Sequence, residues 1–102
     1  MEMKEFQKLV KKVDAAAKAY SDAVVEMQKA IAEKARMHSK LGSLVPLMMK
    51  DPTAASQYIH ISTKILMMDQ KVSQLTQKQQ KLKQAFEKAG KEVAKASKDV
   101  KG

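Results

Sequence analysis

Residues 61–100, "ISTKILMMDQKVSQLTQKQQKLKQAFEKAGKEVAKASKDV", decide the fold. Starting at Ile61, positions 61, 65, 68, 72, 75, 79, 82, 86, 89, 93, 96 and 100 alternate steps of four and three, and eleven of the twelve are apolar. That is a heptad repeat with a buried a/d seam, and it predicts a helix that packs lengthwise on another helix. The polar member is Gln79, inside the hydrophilic run "TQKQQKLKQ", so the apolar stripe is narrow. A polar seam residue fixes register and partner number at some cost in stability. The alternative is that Gln79 faces a small residue (Ala17) and reaches solvent.

The first half carries its own ladder: Met3, Phe6, Val10, Val13, Ala17, Tyr20, Val24, Met27 and Ile31, weakening at Lys34 and His38 and resuming at Leu41. Beside it run Leu9, Ala16, Ala23, Ala30 and Met37, seven apart. The stripe is therefore wider, about three positions in seven. Gly42 is placed to end this helix. Asp51 as N-cap and Pro52 as first helical residue open the second. The reading is an all-α chain: one domain with a helix over about 2–41, an apolar turn or short helix over 42–52, a helix over about 53–98, and a basic C-terminus that frays after Gly90. Two long helices with a short connection fold back as an antiparallel helical hairpin or coiled coil. Pairing positions whose numbers add to 96 brings Ile31 to Ile65. An isolated two-helix hairpin is marginal, so association into a four-helix bundle is expected.

Composition narrows the function. The 102 residues include no cysteine and only four aromatic residues, Phe6, Tyr20, Tyr58 and Phe86. Disulfides and thiolate metal sites are excluded. His38 and His60 have no carboxylates at ligand spacing, so no metal or other cofactor is expected. Three glycines cannot build a phosphate loop, and no hydroxyl has a base beside it, so the chain does not read as an enzyme. "MEMKEFQKLVKKV" lacks the apolar core of a signal peptide. No stretch approaches the roughly eighteen apolar residues of a membrane span. The expected location is the cytoplasm, with export without a cleaved signal left open.

Two features bear on partners. The connection "KLGSLVPLMMKDPTAA", residues 40–55, is apolar where turns are normally polar. Leu44, Val45, Leu47, Met48 and Met49 join Tyr58, Ile59, Leu66 and Met67 in an apolar end. Either "SLVPLMMK" forms a short helix capped by Ser43 that folds on Ile59 and Leu66 and plugs the hairpin, or these residues form a docking surface for a protein partner or a second copy. The second feature is charge: the net +9 is concentrated as +6 in residues 71–102, against zero in residues 41–70. Lys78, Lys81, Lys83, Lys88, Lys91 and Lys95 read as spread around the helix. Arg36 is the one arginine and the region has little aromatic character, which argues against base-specific contacts. Non-specific attraction to nucleic acid or to an acidic surface remains, against a solvated tail.

Residues 50–86, "KDPTAASQYIHISTKILMMDQKVSQLTQKQQKLKQAF", resemble the C-terminal halves of small helical proteins of bacterial type III secretion. Asp51, Pro52, Ala54, Ala55 and Tyr58 carry the likeness. Needle and inner-rod subunits pair such a turn with a Tyr-bearing amphipathic helix, usually with two prolines and a polar N-terminus. This chain has one proline there and a strong N-terminal ladder, so it is more similar to the coiled-coil export chaperones. That resemblance implies a helical hairpin that shields or assembles with a secretion component. The helical hairpins exported by type VII systems carry Trp-x-Gly between their helices, where this chain has Lys40-Leu41-Gly42.

Overall fold

The computed structural model describes residues 2–99. It contains two long helices, α1 (Met3–Leu44) and α2 (Pro52–Ala96), linked through a 3-10 turn at Val45–Leu47. There is no strand among the described residues, and none of their helices is long and apolar enough to cross a membrane. The chain is an all-α helical hairpin, divided into two compact units. A connector-end unit spans residues 26–76, and a terminal unit comprises the described residues 2–25 and 77–99.

The α2 ladder is buried as its spacing demands. Ile61, Ile65, Met68, Leu75, Ala89 and Ala96 are buried, and Val72, Gln79, Leu82, Phe86 and Val93 are half-buried. Val100, its last predicted member, lies outside the described residues. The ladder also extends backward, through half-buried Tyr58 to buried Ala54.

On α1 the seam differs from the expected one. Phe6, Val13, Tyr20, Met27, Lys34 and Leu41 occupy heptad position a, and Leu9, Ala16, Ala23, Ala30, Met37 and Leu44 occupy d; all twelve are buried or half-buried. Val10, Ala17 and Val24 flank this seam at position e, while Met3, Ile31 and His38 are exposed. The seven-residue alanine stripe, read as a flank, is thus the deepest line of the helix. Small side chains let a neighbouring helix approach closely, so they are buried more completely than the bulkier residues beside them.

Two features of the connection also depart from the expectation. Gly42 does not end α1, and Ser43 caps no third helix. The helix runs through both to Leu44, and the Ser43 hydroxyl donates to the Lys40 carbonyl at 2.8 Å. Burial of Leu44 outweighs the roughly 1 kcal/mol that an internal glycine costs. Pro46 then stops the α-helix, since it has no N–H and disfavours α geometry in the residue before it. The chain tightens into the 3-10 turn, and the Asp51 N–H donates to the Leu47 carbonyl at 2.9 Å. Asp51 is the N-cap of α2 as its sequence implies, its Oδ1 accepting from the Thr53 N–H at 2.9 Å. At the far end α2 runs through Gly90 to Ala96, with Ala89 and Ala96 buried.

The register also changes. Lys34 pairs with Asp69 and Lys12 with Glu92, and the Tyr20 and Phe86 rings stack with centroids 6.5 Å apart. These position numbers add to 103, 104 and 106, not 96, so α2 is displaced by at least one heptad. The connector is the cause. Leu44 packs in one cluster with Ala54, Ile61 and Ile65, against which Met48 and Tyr58 also lie. The connection therefore lies along the first turns of α2 instead of making a symmetrical bend.

The register is open to a direct test, because the chain has no cysteine to interfere. Lys34→Cys with Asp69→Cys will cross-link within one chain through a short bis-maleimide, and Ile31→Cys with Ile65→Cys will not; the reverse pattern would restore the register of 96. Helix-end chemistry gives opposite signs in thermal melts followed by circular dichroism. Asp51→Ala should lose about 1 kcal/mol by removing the cap. Gly90→Ala should gain roughly 0.5–1 kcal/mol, since Gly90 is helical and a Cβ there meets nothing within 4 Å.

Candidate interaction surface

The nine apolar residues singled out around the connection divide into two groups. Leu44 is buried in the cluster with Ala54, Ile61 and Ile65, and Met48 and Tyr58 pack half-buried against it. These three close the connector end from within. The other six stand in solvent: Val45, Leu47, Met49, Ile59, Leu66 and Met67. Met49 is 96% exposed and Ile59, Leu66 and Met67 about two-thirds exposed, so the 3-10 turn does not fold over Ile59 and Leu66 as a plug. The reason lies in the helical positions. Tyr58 continues the seam backward, whereas Ile59, Leu66 and Met67 fall at b and c, turned away from α1.

Three further large apolar residues are exposed, Met3, Val25 and Ile31, and of these Met3 and Ile31 belong to the expected seam; Ile31 is 51% exposed. The signal was present: the stripe Ala23, Ala30, Met37 leaves Ile31 one position to the side.

The two sides of the connector-end seam differ electrically. Along one side Met37 lines two open grooves, one with Lys64, Met67 and Lys71, the other with Glu33, Arg36 and Lys40. Along the other side the Lys34 ammonium pairs with the Asp69 carboxylate, whose Oδ1 is sealed from solvent. Lys34 holds a seam position, and its side chain is only about one-third exposed. Its long methylene stem covers apolar surface while the head reaches Asp69. With the two side chains 33% and 44% accessible, solvent still screens the pair to about 1 kcal/mol or less, and its effect is mainly to neutralise the charge on that side.

In the terminal unit, Lys78, Lys81, Lys83, Lys88, Lys91 and Lys95 are all exposed. They are not spread evenly around α2, as the sequence reading had it. Lys81, Lys88 and Lys95 share heptad position c, Lys91 and Lys98 share f, Lys78 is at g, and Lys83 alone is on the e side. Gln79 is half-buried in the seam. The stack of Tyr20 on Phe86 puts Ala17 level with Ala89, so Ala17 is not the residue facing Gln79.

Comparison of the chain with protein-family models, with curated proteins and with solved structures finds no match in any of the three.

Proposed function

We propose that the protein is a non-enzymatic helix-packing module, a small coiled-coil chaperone or assembly subunit that lends apolar helical surface to a partner protein or to another copy. One observation carries this reading. Val45, Leu47, Met49, Ile59, Leu66 and Met67 remain half or more exposed beside a core cluster already closed by Leu44, Ala54, Ile61 and Ile65. Large apolar side chains left exposed together at one end of a folded chain mark an interaction site. Covering each of these side chains would contribute on the order of 1–2 kcal/mol before the entropic cost of association. Two of the six, Met49 and Met67, are methionine, whose flexible thioether adapts to partners of varied shape. The resemblance to type III export chaperones points to the same class of role.

A second reading rests on the one-sided lysines of the terminal unit. Lys81, Lys88 and Lys95 repeat every seven residues, about 10.5 Å along a helix. Such a row attracts phosphates or an acidic protein surface without reading sequence.

Salt separates the two. Purified protein should keep its association, with itself or with a defined partner, at 500 mM NaCl, and Ile59→Asp with Leu66→Asp should abolish that association while helical circular dichroism is unchanged. Association that vanishes between 50 and 200 mM salt, together with 260 nm absorbance that salt removes, would transfer the function to the lysines. A chain that associates with nothing at either salt would contradict both readings.

A further inference from the structure

Resting on the helix-packing reading, we infer that the connector-end unit docks a second copy of this chain through the side of the seam that carries the Lys34–Asp69 pair. The face consists of the e and b positions of both helices. Ile31 on α1 and Ile59 and Leu66 on α2 stand exposed there, and the same face carries small Ala35, Ser62 and Ser73 together with exposed His38. These small residues leave room for the helices of another hairpin to approach.

Charge identifies the occupant. The unit has seven basic residues, Lys29, Lys34, Arg36, Lys40, Lys50, Lys64 and Lys71. Five occupy c and g, on the opposite side of the seam, and Lys50 is in the connection. Lys34 is the sixth helical one, and it is neutralised by Asp69, the acidic residue of this face. Two chains of net charge +9 repel one another by most approaches. Through this face they meet with no unpaired formal charge on either side, and their lysines point away into solvent. A charged partner finds no group here to recognise, whereas a copy brings the same neutral apolar surface in an isologous contact.

Area gives the same answer. The chain leaves 7795 Å² accessible to solvent. A compact monomer of its mass exposes roughly 5800 Å². The surplus, about 2000 Å² on one chain, is more than the roughly 800 Å² that each partner covers in a standard interface, so the chain has surface to give to a copy.

The test is molar mass by sedimentation equilibrium from 10 to 300 µM in 300 mM NaCl. Wild-type protein is expected at twice its 11.4 kDa chain mass. Ile31→Lys with Ala35→Lys, and independently Leu66→Lys, should each shift it to monomer with helicity retained, because all three positions are exposed within the hairpin. Gln74→Lys, exposed at position c on the lysine-bearing side, should leave the dimer intact. A wild-type monomer throughout the range would overturn the second-copy assignment while leaving a partner of different sequence to the helix-packing reading. A dimer that survives Ile31→Lys with Ala35→Lys and Leu66→Lys, or is lost in Gln74→Lys instead, would overturn the face. A dimer that raised salt dissolves would overturn the helix-packing reading along with it.

Discussion

The alanine-rich line of α1 governs how closely the two helices approach, and most other features follow from that spacing. Leu9, Ala16, Ala23, Ala30, Met37 and Leu44 recur every seven residues, with the smallest side chains in the middle. Facing them, α2 supplies larger residues such as Leu75 and Met68, which cluster on Ala30. Small against large is the arrangement that fills space between close helices. It also limits the core: among the described residues five of the ten buried apolar ones are alanine, and no side chain is sealed completely. Burial of this kind yields less hydrophobic stabilisation per residue than a core of leucine and isoleucine.

The connection completes the geometry. Proline stops α1, and a second proline behind an aspartate cap starts α2. Leu44 at the end of α1 and Met48 between the prolines turn inward, in the cluster with Ala54 and Tyr58, which fixes the register of the connector-end unit. The same short segment has to leave Val45, Leu47 and Met49 outside, because a one-turn 3-10 stretch cannot point all its side chains at one neighbour. An apolar connector is thus partly structural and partly surface.

Much of this was legible in the sequence, and the failures have physical causes. The α2 seam could be read from spacing because its members are large and its flanks strongly polar. The Asp51-Pro52 start could be read because capping is local chemistry. The α1 seam was misplaced because hydrophobicity ranks Val24 and Ile31 above Ala23 and Ala30, whereas burial between close helices favours the small residue. The register was not legible, since it depends on where the connector packs, which no local pattern encodes. Of the candidate surface residues, Ile59, Leu66 and Met67 could be recognised by their displacement from the seam. Tyr58 belonged with the core on the same criterion, because 54, 58 and 61 continue the four–three rhythm.

The proposed helix-packing role would complete, by association, a thin seam that lies beside exposed apolar residues. Stability that depends on association depends on protein concentration, and stability held within one chain does not. The melting temperature of the wild-type protein, followed by circular dichroism over a hundredfold range of concentration in moderate salt, therefore bears most directly on this account. A midpoint that climbs steadily with concentration is the expected result. A midpoint that stays constant across the range would contradict it, and would mean that the alanine-lined hairpin is sufficient by itself.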